Sequence, residues 1–345
     1  MTRPRPAWTP PLRDGVSASR VAVSSGPWES VTAFLMARLR PGIDWSERIA
    51  QGQVLDRHGQ PVTADTPCRE GAVYWYWRSL PPEPRVPFEL ELLHQCEHLV
   101  VVDKPHFLAV TPGGRHLQET ALVRLKRQLG IESLVPMHRL DLETAGVLAF
   151  IVQPATRRAY HALMREHLAH KVYEAVAPWR SDLALPATVR HRLEEPTGVG
   201  FMQMQVLPGV PNAHTRIELM RRLDADPMNR LNTLHGDPHD PRALYRLTPL
   251  TGRKHQLRAQ LNALGLPIVG DRIYPRLWPE PAPGVAPDFS NPLQLLARAL
   301  SFTDPVTGQP RRFVSRRQLA LAACADTAQL SSPLSPSTSS HPPLP

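Results

Sequence analysis

The sequence predicts an α+β protein with a mixed, mostly antiparallel sheet. Three observations carry this: strand-like segments dominate, they do not alternate with helices as a regular βαβ series, and no internal repeat is present.

Residues 1–29 are proline-rich and poor in aliphatics and read as a flexible arm. A first folded part is expected over 30–80. "SVTAFLMARL" has apolar residues at helical spacing, with Ser30 as a plausible N-cap. "WSERIAQGQVLDRHGQPV" follows with a short helix, a stop at Gly52, a strand at "QVL" and a turn at "RHGQ". Residues 81–89 lie in "LPPEPRVPFE", a proline-stiffened linker.

The second part is expected over 90–322. "HLVVVDKP" is a β-branched strand, and "ETALVRLKRQLG" a helix with Leu122, Leu125 and Leu129 on one face and Gly130 as terminator. "GVLAFIVQ", "KVYEAVAP" and "LYRLTPL" read as strands, "TRRAYHALMREHL" as a helix, and 222–242 and 275–292 as surface loops. Thr251 is placed to cap a further helix from about Lys254 to Leu264, with Leu257, Leu261 and Leu264 facing the core. The Ser/Pro-rich stretch 323–345 reads as a disordered tail.

The formal charge of +9 favours a polyanionic partner, and arginine, which far outnumbers lysine, suits phosphate and base contacts. No apolar run reaches the roughly 18 residues of a transmembrane helix, and the N-terminus lacks the apolar stretch of a secretory signal. Cys68, Cys96 and Cys324 lie far apart, as suits a reducing cytoplasm. His161, His167 and His170, and His235 and His239 beside two aspartates, lack a metal-site pattern, so no metal is expected. P-loop, GxGxxG and GxSxG motifs are absent. Arg253 and Lys254, in the expected first turn of the helix after Thr251, oppose its dipole, which hints at an anion there.

Four stretches occur in a telling order: "VVVDKPHFLAVTPGG", "HRLDLETAG", "KVYEAVA" and "TGRKHQLRAQLNALGLPIVGDRIY". Together they resemble the RluA-type family of pseudouridine synthases over residues 97–274, with a weaker echo in "LLARALSFTDPVTGQPRRF". Residues 30–80 resemble the small S4-type RNA-binding domain. The resemblance implies the pseudouridine-synthase fold, and isomerisation of uridines in ribosomal or transfer RNA without cofactor or metal. A cytoplasmic monomer acting on structured RNA is expected.

By the same resemblance Asp141 is the catalytic aspartate, Tyr173 stacks on the uracil and serves in its proton transfer, and Arg258 pairs with the aspartate. Arg139 would enter the stack that the uridine leaves, with His138, Arg253, Lys254 and His255 as further RNA-facing residues and Lys104, in the "KP" loop, as a structural or RNA-facing one. An ionised carboxylate, an orienting cation and a flat aromatic wall meet the needs of breaking N1–C1′ and joining C5 to C1′. Three departures stand out: Ala145 where serine is usual, His106-Phe107 where a small residue and glycine are usual, and Leu296 where histidine is common. A non-catalytic RNA-binding or ribosome-assembly protein on the same fold is the alternative. A glycosidase would want a second carboxylate, for which Glu143 is the near candidate.

Overall fold

The computed structural model describes residues 8–39, 43–78, 83–196, 202–223, 241–279 and 285–323. The chain divides into two compact units, one of the residues up to Arg85 with Thr111–Leu134, the other of Val86–Val110 with the residues from Val135 onward. Residues 324–345 of the expected tail, 224–240 of the expected loop, and His235 and His239 lie outside the described residues.

In the first unit β1 (Ser19–Ala22), β2 (Val54–Leu55) and β3 (Val73–Tyr76) form an antiparallel sheet ordered β1-β3-β2. Helices α1 (Val31–Arg38) and α2 (Trp45–Ala50) supply Val31, Phe34, Leu35, Trp45 and Ile49 to its core. Ser30 caps α1, its hydroxyl accepting from Ala33 N at 3.2 Å. The arm expected over 1–29 is corrected here, because β1 lies within it and Ser19 pairs with Tyr76. Val21 and Val23 alternate with exposed Arg20 and Ala22, and both pack into the core, whereas Pro10 and Pro11 come before the strand.

Helix α3 (Ala121–Leu129) was expected with the second part but belongs to the first unit. Thr120 caps it by accepting from Val123 N at 3.2 Å, and Gly130 ends it at φ +67°. Its buried residues are Ala121, Val123 and Leu125, with Leu122 and Leu129 only half-buried. Arg127 Nη2 donates to Asp14 O at 2.9 Å, and the Glu83 carboxylate accepts the N–H groups of Leu117, Gln118 and Glu119 at 2.9–3.1 Å. These bonds, invisible to helical periodicity, tie the segment to the first unit.

The second unit contains β4 (Glu91–Gln95), β5 (Leu99–Lys104), β6 (Val135–Pro136), β7 (Ala145–Ile151), α4 (Arg157–Arg165), β8 (His170–Pro178), β9 (Ala187–Glu194) and β10 (Gln205–Leu207). It continues with β11 (Ala213–Leu223), β12 (Arg242–Pro249), α5 (Gln256–Ala263), β13 (Leu295–Thr303) and β14 (Pro310–Val314). Among the described residues they make one sheet ordered β10-β9-β11-β12-β8-β13-β7-β5-β4, with β14 on β13 and β6 on β7. It is mixed and mostly antiparallel, the parallel pair being β13 with β7. No helix among the described residues is long and apolar enough to cross a membrane.

The period of two sorts each strand onto two faces. Ala175 and Ala177 of β8 face Leu257 and Leu261 of α5, together with Ile217, Tyr245 and Leu247. Val176 faces the other way, with Ala145, Leu244, Leu296 and Leu319. A third cluster packs Leu99, Val101, Val147 and Ala149 on Tyr160 and Leu163 of α4. Gly146 marks the β7–β13 contact: at φ +112° a Cβ there would stand 2.2 Å from Ala297 O, so only glycine fits.

Candidate active site

Asp141 lies in the loop between β6 and β7, where Met137 N donates to Ala149 O at 2.8 Å and Thr144 N closes a turn on Asp141 O at 3.2 Å. Buried Met137, Leu140 and Thr144 anchor the loop around the partly exposed Asp141. Arg139 projects into solvent.

Arg258, in the first turn of α5, is a guanidinium with a side chain only 2% exposed. Its Nε donates to Asp271 Oδ2 at 2.8 Å and its Nη2 to Asp271 Oδ1 at 2.6 Å, a two-point fork. Nη2 also donates to Glu143 Oε2 at 3.1 Å, and Nη1 to Asp141 Oδ2 at 3.2 Å. The three carboxylates differ in exposure: Asp271 0%, Glu143 12%, Asp141 29%. Burial works against the charge on Arg258, but its bonds to Asp271 and the fields of all three carboxylates outweigh it and raise its pKa. Burial raises the pKa of Glu143, with the negative charges of Asp271 and Asp141 adding to the effect while Arg258 opposes it. Asp271 in turn accepts from the N–H groups of Ile273 and Tyr274 at 2.8 and 3.0 Å, which locks the far end of the network to the backbone.

The start of α5 departs from expectation. The helix begins at Gln256, after His255 at φ +50°, and Thr251 does not cap it. Gln256 reaches back instead: its Oε1 accepts from Thr251 Oγ1 and Arg253 N, and its Nε2 donates to His214 O and Thr215 Oγ1. Arg253 and Lys254 therefore precede the helix and do not occupy its first turn. Both are exposed; Lys254 pairs with Glu195 at 3.3 Å and Arg253 Nε donates to Asn212 O at 3.4 Å.

Three residues expected to face RNA are turned into the fold. Lys104, at the end of β5, is fully buried, and its Nζ donates to the carbonyls of Pro105, Leu108 and Leu142 at 2.9, 2.8 and 3.1 Å. Burial brings its pKa down to about 7, opposed by Asp141. His138 accepts from Ala149 N at 3.3 Å through Nε2, and burial brings its pKa to about 4. His255 has a side chain only 9% exposed, with Nε2 3.9 Å from Asp141 Oδ1 and its ring edge-on to Tyr274 at 5.9 Å. Burial lowers the pKa of His255, while Asp141 pulls it up. These are corrections with one cause: motif spacing marks proximity to Asp141 and carries no sign of which way a side chain turns.

Tyr173 stands on the α5 face of β8, opposite Leu247 of β12 and Ala297 of β13. Burial first, then Asp141, raises its hydroxyl pKa, so the phenol stays protonated. Asp141, Tyr173, Arg258 and His255 are thus brought together, while Arg139, Arg253 and Lys254 remain at the surface. Sequence reasoning missed Asp271 and did not place Glu143 on Arg258. The signal for Asp271 lay inside "GDRIY", where Gly270 at φ +77° passes within 2.6 Å (at the position of an added Cβ) of Pro292 O.

Residues 98–263 match the family model described as RNA pseudouridylate synthase. An RNA pseudouridine synthase of Synechocystis sp., named as uncharacterised, is 34% identical over 230 residues, covering 67% of this chain and 73% of its own. The dual-specificity RNA pseudouridine synthase RluA of Haemophilus influenzae is 31% identical over 238 residues, covering 65% and 91%. The chain belongs to the RluA-type pseudouridine synthase family. It is an RNA pseudouridine synthase, and RNA is its substrate class. The fold agrees: a solved human RNA pseudouridylate synthase domain-containing protein superposes with a TM-score of 0.53 at 22% identity, covering 70% of this chain and 90% of its own.

Proposed function

We propose that this synthase isomerises specific uridines of ribosomal or transfer RNA in the cytoplasm, as a monomer, with Asp141 as nucleophile on a nucleotide turned out of its stack. The observation that carries this reading is the graded exposure around Arg258. Asp271 is fully buried and Glu143 only slightly exposed against the guanidinium, and Asp141 is the most exposed of the set. Arg258 holds Oδ2 of Asp141 through Nη1, fixing the carboxylate before substrate arrives.

The reaction breaks N1–C1′ and forms C5–C1′; C5 loses a proton and N1 gains one, so no electrons enter or leave. Tyr173 supplies a flat wall for the uracil and a phenol that stays protonated. Turning the uridine out costs a few kcal/mol, least in a loop. Arg139, exposed two residues before Asp141, is placed to fill the vacated position with its planar group. Residues 30–80, in the three-stranded unit, would add affinity for structured RNA.

The test is tritium release from [5-³H]uridine-labelled ribosomal and transfer RNA. Wild type should release tritium and Asp141→Asn should lose activity by about 10³-fold or more; comparable release by the variant would remove Asp141 from the mechanism. Arg139→Ala should lose more activity on folded RNA than on an unstructured oligonucleotide, and equal losses would exclude a base-displacing role.

A further inference from the structure

Between the turn from α4 into β8 and the end of β12 lies a cavity of about 140 Å³. Lys171, His167 and His170 line one part of it, and Met164, Leu168 and Leu250 another. Leu168 and Leu250, both lining the cavity, are 61% and 51% exposed. The turn from α4 into β8 builds one wall: Leu168 N and Ala169 N both donate to Leu163 O, at 2.9 and 3.3 Å, with His167 at φ +57°. The end of β12, Thr248 to Leu250, builds the other.

Lys171 is the unusual member. It is half-buried, and among the described residues its ammonium has neither an ion pair nor a hydrogen bond. Burial alone lowers its pKa, with no carboxylate to offset the effect. A partly desolvated cation without an anion is costly and gains most from one supplied by a ligand.

Its place in the fold says which ligand. Lys171 and Tyr173 are two apart on β8, so they share the face that carries α5 and stand about 6.7 Å apart along the strand. A Cβ on Gly252 would lie 3.6 Å from Lys171 Nζ, so the ammonium reaches the loop that ends at His255, itself 3.9 Å from Asp141. An anion here would sit two strand residues from the uracil wall, within reach of the RNA backbone adjoining a nucleotide held there.

Building on the proposed site at Asp141 and Tyr173, we infer that this cavity is a subsite for the RNA strand flanking the target uridine. Lys171, with His167 and His170, takes one phosphodiester, and Met164, Leu168 and Leu250 cover the adjoining sugar.

The experiment measures Kd for the ribosomal and transfer RNA probes across a salt series, for wild type, Lys171→Met, Lys171→Arg and Leu250→Glu. Loss of one phosphate contact should make the slope of log K against log salt shallower by about 0.7 to 0.9 in Lys171→Met. Lys171→Arg should restore the slope. Leu250→Glu, which adds a carboxylate at an exposed position and leaves the half-buried lysine in place, should weaken binding several-fold. Tritium release by wild type with equal slopes in Lys171→Met, or undiminished affinity in Leu250→Glu, would overturn the subsite while leaving the proposed function standing. Absence of release by wild type from every RNA would overturn the reading of the site, and the subsite with it.

Discussion

Two buried cations flank Asp141, and the fold treats them in opposite ways. Arg258 is surrounded by three carboxylates, and its charge is held in place. Lys104 meets three backbone carbonyls and no carboxylate, and burial brings it to about 7. Full charges compensate a buried cation; dipoles do so only in part. The difference divides the labour at the site. Arg258 is a permanent electrostatic anchor for Asp141, whereas Lys104 pins the backbone at Leu142, the residue after Asp141, and sits where its own proton is exchangeable. An ammonium has three N–H groups for three carbonyls, and the neutral amine has two, so deprotonation releases one tie.

Breaking the carboxylate side should have the largest effect. Asp271→Ala leaves Arg258 without its two-point fork and should cost about 3 to 5 kcal/mol, the range for removing one partner of a buried ion pair. Activity should fall along with stability, since the guanidinium would no longer be aimed at Asp141. Arg258→Lys keeps the charge but cannot reproduce the planar fork and should lose about 10²-fold in kcat. Urea denaturation and single-turnover tritium release give both numbers. A fully active Asp271→Ala would show that Arg258 needs no second anchor.

The dipole side should respond less and should carry a pH signature. Lys104→Met leaves three carbonyls without their donor but also removes a desolvated charge, so a net loss of about 2 kcal/mol is expected. In wild type the folded pKa of about 7 lies below the ordinary 10.5, so between these values the unfolded chain binds the extra proton. Stability from this group therefore rises with pH from about 7 upward, by at most about 1.4 kcal/mol per unit. Urea midpoints from pH 7 to 9.5 should show wild type gaining on Lys104→Met; parallel profiles would mean that Lys104 does not titrate in this window.

How much of this could be read in the chain depends on whether a residue's role is local. That Arg258 meets Asp141, with Tyr173 nearby on β8, was legible because motif order brings them together, and Ser30 and Gly130 because caps have local chemistry. Partners set by the sheet were not. Strand β13 was only an echo in sequence, yet it lies between β7 and β8 and explains two departures at once. Leu296 is the register partner of Ala145, and both lie in one apolar cluster. The two positions where the resemblance has polar residues thus meet here as an apolar pair. Phe107 is a third departure with a visible cost, since it holds φ +65° where the resemblance has glycine. Its ring lies 6.4 Å from Phe88 and 5.2 Å from Phe289, contacts that offset the strain. The inward turn of His138, and the choice between a structural and an RNA-facing Lys104, were not legible because proximity to the Asp141 motif does not reveal the direction of a side chain.

The smallest expected effect sharpens the same contrast with groups that carry no charge at all at neutral pH. His106 Nδ1 donates to Glu143 O at 2.6 Å, and His138 Nε2 accepts from Ala149 N, so both rings brace the Asp141 loop as neutral groups. Burial holds each at about 4 against an ordinary 6.5. Between those values the unfolded chain binds the extra protons, so stability is fully present above about 6.5 and lost as pH falls toward 4. At pH 5 each ring should cost roughly 1 to 2 kcal/mol relative to pH 7. His138→Gln, whose amide oxygen can take the Ala149 N–H but cannot gain a proton, should remove one share of that loss. Thermal melts of wild type and variant at pH 7 and pH 5 decide it: the variant's smaller drop in Tm is expected, and an equal drop would mean that His138 charges without leaving its place beside Ala149.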